Sequence, residues 1–301
     1  MTILLATSAL AVSIYIATGG TAGTYYPVGN AIAEAVSKNT NLQVTAEVPD
    51  VTIANLNHVA AGEIEIAFAQ ADVTSWAYNG KNMYEDKSRK NIRTIAALYP
   101  ETIHIAVKPG IKDITQLIGK RVAVGAPGSV TESDARTLLN SIGLTYYDMK
   151  AELKDFYGFI EYFKNDKIDA GFVIAGVPTS AIMDLAITEE ISLINFDRET
   201  MDKIIAANPY FVPNVILAGT YRGIYEDVIT PAVMALLITY EDMPEDIIYD
   251  FCKGMFENIA EVQNSHPMAR YISLENALHG LTAPLHPGAA KFYKEMGLDV
   301  K

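Results

Sequence analysis

Near the start of the chain, Val12, Ile14 and Ile16 alternate with Ser13, Tyr15 and Ala17. A period of two reads as a strand. Gly19, Gly20 and Gly23 follow, and then Ala31, Ile32, Ala35 and Val36 recur at helical spacing. Pro27 fits the first turn of that helix, where its missing N–H has no intrahelical partner to lose. Thr24 is placed as the N-cap. The pattern predicts a strand, a glycine-rich loop and a helix start. Such a loop lets bare main chain approach a ligand, and a helix N-terminus suits an anion. The same pattern fits a tight strand-to-helix turn that binds nothing.

The pattern has an echo. Arg121–Gly125 and Ala126-Pro127-Gly128-Ser129-Val130-Thr131 again read as strand, glycine loop, hydroxyl cap and helix, with Gly128-Ser129 matching Gly23-Thr24. A second pair keeps nearly the same offset: Gly62–Asp72 and Asp166–Gly176 each carry an Ile-x-x-x-Phe strand core that runs into a turn and a helix. Two units of common order predict two similar α/β lobes. Ligands of open α/β sheets bind beyond the carboxyl ends of the strands, so facing lobes would put both glycine loops on one cleft.

Strand–helix alternation continues to about Ile194, with strands expected at Leu42–Val48, Ile64–Ala69, Arg93–Tyr99 and Ile103–Val107. Tyr99-Pro100-Glu101-Thr102 is expected to be a turn crossing between the lobes, and Phe211–Gly219 a return crossing. Ile247, Ile248, Phe251, Met255, Ile259 and Val262 form a helical stripe after Pro244-Glu245-Asp246, read as core.

The 301 residues are long enough to bury about 75% of the unfolded surface. A net charge of -13 argues against nucleic acid or an anionic membrane as primary contact. It offers an anionic ligand no long-range steering either. Cys252 is the only cysteine and is read as packing. No run approaches the ~18–20 apolar residues of a membrane span. Residues 1–12 are apolar, with Ala9-Leu10-Ala11 resembling a cleavage site, and read equally as a signal-peptide remnant or a frayed extension.

The search for chemistry is largely negative. His58, His104, His266, His279 and His286 have no metal-ligand spacing. Neither G-x-G-x-x-G, a P-loop nor G-x-S-x-G is present. Asp166 and Asp169 are read as a solvated turn rather than paired carboxylates. No cofactor or metal is expected.

Thr18-Gly19-Gly20-Thr21-Ala22-Gly23-Thr24-Tyr25-Tyr26-Pro27-Val28-Gly29 resembles the signature of the TAXI-type solute-binding proteins of TRAP transporters. The resemblance extends through Ala60-Ala61-Gly62-Glu63, Ala69-Gln70-Ala71-Asp72, Leu98-Tyr99-Pro100-Glu101, Val124–Ser129, Tyr210-Phe211-Val212-Pro213 and Ile272–Leu278 to Pro284-Leu285-His286-Pro287-Gly288. Ala22, Ala71, Val130 and Val48-Pro49-Asp50-Val51 depart from it; the family commonly has Gly, Ser, Gly and a Gly/Ser-rich turn there.

The resemblance implies a two-lobed α/β fold of the periplasmic-binding-protein type II (Venus flytrap) class, with a central cleft and hinge strands. Residues 13–100 with 218–301 would form lobe I, and 101–217 lobe II. It implies a periplasmic, monomeric receptor without enzymatic activity. That receptor closes on a small organic anion or amino acid, glutamate-like by family precedent, and delivers it to a TRAP membrane permease driven by an ion gradient. An enzyme acting on a small anionic metabolite is the competing reading; Asp72, Glu101 and Glu132 are its candidate groups, without a His or Lys partner.

On the first lobe, Gly20, Thr21, Thr24 and Tyr25 are expected at the cleft, Thr24 meeting a carboxylate and Tyr25 covering an aliphatic stem. Gln70 offers donor and acceptor together. Asp72 is read either as a partner for an ammonium or as a helix cap. On the second lobe, Gly128, Ser129 and Thr131 form a second anion nest, and Tyr99, Gly176 and Pro178 close the wall. Tyr99 is equally read as hinge packing. None of these positions is an arginine, so a ligand carboxylate is expected on backbone N–H groups and hydroxyls.

Overall fold

The computed structural model describes residues 12–48 and 52–300. The suggested signal segment, apart from Val12, and residues 49–51 of the Val48–Val51 turn lie outside the described residues.

The sequence echo is written into the sheet. In the first half, β1 (Val12–Ala17), α1 (Tyr25–Asn39), β2 (Leu42–Glu47), α2 (Thr52–Ala61), β3 (Ile66–Gln70) and α3 (Ala71–Asn79) alternate. β4 (Ile92–Val107) then leads to the second half: β5 (Arg121–Ala123), α4 (Val130–Ser141), β6 (Lys150–Glu152), α5 (Phe156–Lys164), β7 (Ala170–Ala175) and α6 (Ser180–Thr188). β8 (Ser192–Leu193), α7 (Arg198–Ala207), β9 (Val212–Ile216) and β10 (Val228–Tyr240) follow, and α8 (Glu245–Glu257), α9 (Ile259–Gln263) and α10 (Pro287–Glu295) complete the chain.

The strands run β2-β1-β3-β10-β4-β7-β5-β6, with β8 on β4 and β9 on β10. β2-β1-β3 and β6-β5-β7 are parallel triplets of the same internal order. Each is bordered by an antiparallel strand, β10 or β4. The two glycine loops leave β1 and β5, the inner strands of their triplets. The Ile-x-x-x-Phe cores are β3 and β7. The echo therefore marks topologically equivalent places.

Two expectations are corrected. The strands expected at Arg93–Tyr99 and Ile103–Val107 are one strand, β4, and Tyr99–Thr102 lies within it rather than in a turn. β4 pairs with β10 over most of its length and with β7 from Thr102 onward. Its register slips where Leu98 and Tyr99 face Ala235, between the Ala97–Leu236 and Pro100–Met234 pairs. A bulge tolerates a proline and re-aims neighbouring side chains. The second correction is β10, which breaks the strand–helix pattern. Its first residues pair with β9 and its later ones with β3, so the chain passes back through the middle of the sheet along it.

The helices cover both faces. Ile32 and Val36 of α1 join Phe251 of α8 and Phe292 of α10 in one core, and Phe159, Phe163, Ile182 and Leu185 of α5 and α6 form another. A third core is shared between the halves, with Leu56, Val73 and Trp76 in the same cluster as Leu138, Ile204 and Phe211. Cys252 is buried and free, as expected of packing.

Candidate functional site

Both glycine loops end at the seam between the halves, and they are built differently. In the first, Gly29 lies so close to β1 that a Cβ there would stand 2.5 Å from Cγ2 of Thr18, which brings the start of α1 down onto the strand end. Thr24 does not cap α1 with its side chain. Its backbone is already helical, and its hydroxyl donates to the Gly176 carbonyl across the seam at 3.4 Å. The Ala22 carbonyl accepts from the Thr179 hydroxyl (3.2 Å) and the Ala181 N–H (3.3 Å), while its methyl packs in the α5–α6 core. Thr21 is exposed and shares a 2.7 Å hydrogen bond with the Tyr157 hydroxyl. The first loop is thus tied by its own backbone and hydroxyls to the opposite half.

The second loop caps itself. Gly125 takes φ +105°, and a Cβ there would stand 2.6 Å from the Glu132 nitrogen. Ser129 Oγ accepts from that N–H at 3.1 Å, so Ser129 is the N-cap of α4. Gly128 is exposed, whereas Thr131 is buried. Gly176 is buried against Thr24 and Met268, and Pro178 is half-buried in the turn before α6.

A small cavity of about 60 Å³, partly open to solvent, lies between these elements. Of the expected residues, Gly20, Thr24, Tyr25 and Thr131 line it. Phe156 and Val130 do so too and had not been chosen from sequence, and so does Glu101, named only in the competing enzyme reading. Thr21, Gln70, Asp72, Tyr99, Gly128, Ser129, Gly176 and Pro178 are not among its lining residues.

Beneath the loops lies a buried polar floor. Tyr99 and Glu101 stand two apart on β4 and so share one face. Tyr25 packs its ring on Phe68, with centroids 4.7 Å apart, and donates its hydroxyl to Glu101 Oε2. Gln70 and Asp72 sit where β3 becomes α3, and Asp134 is one turn beyond Thr131 on α4. Gln70, Asp72, Tyr99, Glu101 and Asp134 are all buried. Asp72 Oδ1 accepts from the Val73 N–H at 2.7 Å, and Oδ2 accepts from Asn208 Nδ2 at 3.3 Å. The cap reading of Asp72 is corrected: Gln70 is the N-cap of α3, Asp72 lies within its first turn, and its carboxyl also accepts across the seam from Asn208. Gln70 lies beside the carboxyls of Glu101 and Asp134, yet neither atom of its amide completes a hydrogen bond among the described residues. The same holds for the Tyr99 hydroxyl and for both Asp134 oxygens.

Electrostatics follow from burial. Desolvation pushes Glu101 up to about 8, against the hydrogen bond from Tyr25, which favours the ionised form. Desolvation raises Asp134 well above the usual carboxylate range, and the charge of Asp72 adds to it; Asp72 is raised by burial as well. Among the described residues, the buried ionisable side chains include these three carboxyls, His104 and His286 but no lysine or arginine. His104 is held neutral by burial, down to about 4. Its Nδ1 faces the carbonyls of Thr102 and Val173, so the proton sits there and Nε2 accepts from the Tyr221 hydroxyl at 2.8 Å. It is a satisfied core residue. Asp166 and Asp169 lie at the far edge, paired with Lys108 and Arg121, and Glu132 pairs with Arg136. No group of three or more metal-ligating side chains occurs among the described residues.

The fold is that of the bilobal periplasmic substrate-binding proteins. The structure is similar to one from Bordetella bronchiseptica RB50, with a TM-score of 0.60 at 15% identity over 95% of this chain and 98% of that one. It is also similar to PhnD1 from Prochlorococcus marinus (MIT 9301) in complex with methylphosphonate, with a TM-score of 0.56 at 12% identity, covering 95% and 96% of the two chains. The substrate-binding protein of an amino acid ABC transporter matches with a TM-score of 0.51 at 11% identity, over 86% of this chain and 99% of that one. Over residues 16–297 the chain matches the model of the NMT1-like family, and it belongs to that family.

Proposed function

We propose that this protein is an extracytoplasmic solute receptor that closes its two halves on a small carboxylate or amino acid and presents it to a membrane transporter. The observation that carries this reading is the buried seam. Hydrogen-bonding groups of Gln70, Tyr99 and Asp134 are fully enclosed there without protein partners. Buried polar groups are nearly always paired, and leaving one unpaired costs about 1–3 kcal/mol. A ligand that satisfies them from both sides binds the closed form best and shifts the population toward it.

The lobes would be residues 13–100 with 218–301, and 101–217, flexing where β4 and β10 pass between them. The NMT1-like membership and the neighbours' periplasmic fold support an extracytoplasmic place and a transport role. The TAXI-like signature around Thr18–Gly29 favours a TRAP permease as the partner. Gly20, Thr24, Tyr25 and Thr131 would line the ligand chamber, with Gln70, Asp72 and Tyr99 beneath them. Thr21 and Gly176 would latch the closed form, and Gly128, Ser129 and Pro178 would shape the rim. The competing enzyme reading gains three clustered carboxyls, but His104 is fully satisfied and no Lys or Arg joins them.

Native mass spectrometry of the purified protein, before and after mild unfolding, tests the proposal together with a thermal-shift screen of amino acids, organic acids and amines. A retained small molecule, or concentration-dependent stabilisation by one compound class, is expected. Turnover of the bound compound would contradict it, as would a protein that neither retains nor responds to anything in the screen.

A further inference from the structure

Resting on the receptor reading, we infer that the ligand carries a protonated amine, and that Asp72 and Asp134, facing each other across the seam beside Gln70, are its counter-ions. Hydrogen-bond polarity carries the inference. The groups set against the carboxyls are donors: the Tyr25 hydroxyl on Glu101, and the Val73 N–H and Asn208 amide on Asp72. Each of these carboxyl oxygens therefore acts as an acceptor. Neither oxygen of the fully buried Asp134 completes a hydrogen bond of good geometry, although Asp72 and Gln70 lie close enough to couple to it. Gln70 is buried in the same place with its amide unmatched. An ammonium supplies up to three donors and one positive charge, and the buried side chains here include neither lysine nor arginine. A phosphonate or a plain dicarboxylate would instead bring more negative charge against three acids.

The proton economy is consistent with this. Glu101 is held up to about 8, and Asp134 is raised by burial and by its neighbour Asp72. Glu101 therefore keeps its proton at neutral pH, and Asp134 gives up its proton less readily than a free carboxyl. The groups facing Asp134 are Asp72 on α3, Gln70 on β3 and Glu101 on β4, with Tyr25 of α1 also within its field. All are acids or neutral amides. An arriving ammonium would displace a proton, so its affinity should rise with pH. An anion held by protonated carboxyls would show the opposite slope.

The test is isothermal titration of the full chain with two matched sets: amino acids, 4-aminobutyrate and putrescine in one, and in the other glutarate, the deaminated acids of the amino acids used, and methylphosphonate. Binding confined to the amine set is expected, tightening by about tenfold per pH unit between pH 5 and 7 for each proton displaced. Asp134→Asn should weaken that binding by about tenfold or more while keeping the unfolding temperature at pH 5. Binding by the amine-free set, growing tighter as pH falls, would overturn the amine assignment and leave the receptor reading standing. An absence of binding in both sets would overturn both. If Asp134→Asn fails to fold, the sign of the wild-type pH slope still decides.

Discussion

The glycine loops and the acid floor of the seam lie within a few residues of one another, and they handle hydrogen bonds in opposite ways. In the first loop, the Thr24 hydroxyl is committed to Gly176, the Ala22 carbonyl to Thr179 and Ala181, and the Thr21 hydroxyl to Tyr157. In the second, Ser129 caps its own helix. The floor leaves Gln70, Tyr99 and Asp134 uncommitted although they are buried. The difference separates two tasks that the loop motifs alone would merge. On the proposed reading, the first loop would latch the halves together and the floor would read the chemistry of the ligand between them.

That contrast can be broken most severely at Gly176. A Cβ there would stand 2.6 Å from Met268 Cγ and 2.9 Å from Thr24 Cγ2, both on the other side of the seam. Gly176→Val should cost the closed form about 1–3 kcal/mol, or about 5- to 150-fold in ligand affinity by titration, with each half still folded by circular dichroism.

Next comes Glu101→Gln, which acts on the floor. Glu101 titrates near 8 in the folded protein and near 4.5 when free. A raised carboxyl contributes stability that is complete below about 4.5 and is lost as pH rises through about 8. The wild-type unfolding temperature should therefore decline across that window, by up to about 1.4 kcal/mol of stability per pH unit. The glutamine variant should show a flatter profile, and an unchanged slope would remove Glu101 from the titrating floor.

Thr24→Val deletes one latch hydroxyl and should cost about 0.5–1.5 kcal/mol of closure, seen as about two- to tenfold weaker binding with an unaltered pH slope. Tyr157→Phe removes the exposed partner of Thr21 and should change affinity by less than about threefold. A latch variant that reversed the pH slope would erase the distinction between the two regions.

The loops and three residues of the floor, Gln70, Asp72 and Tyr99, were legible in the sequence, whereas Asp134 was not and Glu101 entered only in the competing enzyme reading, for a physical reason. Gly125 acts through its positive φ, and the cluster Gly19, Gly20 and Gly23, none of which takes a positive φ, is still visible in a short window of sequence. The Ile-x-x-x-Phe echo at β3 and β7 is likewise local, and it led to the two matched strand triplets. Glu101 and Asp134 acquire meaning only from burial among elements far apart in the chain. Asp134 sits one turn past a recognised loop, and its spacing from Thr131 on one helix face was the available signal. Tyr99–Thr102 read as a turn because of Pro100, whereas a bulge lets β4 run through it. β10 was missed because Pro231 and the unbroken apolar run Val233–Ile238 hide the alternation of a strand buried on both faces. Thr24 was expected to cap its helix, and its hydroxyl turned instead to a carbonyl brought near by the opposite half.

Closure of the halves over a ligand is most directly measured as a distance. Met83 and Asn140 line the open groove between α3 and α4, on opposite sides of the seam. Spin labels can be placed there through introduced cysteines, because Cys252 is buried. With a saturating amine ligand identified by titration, pulsed electron–electron resonance should give one short, narrow distance. Without it the distribution should be longer and broader at pH 8, where the floor carboxyls are losing their protons. Distributions that coincide with and without the ligand would contradict a receptor that closes over its buried acids.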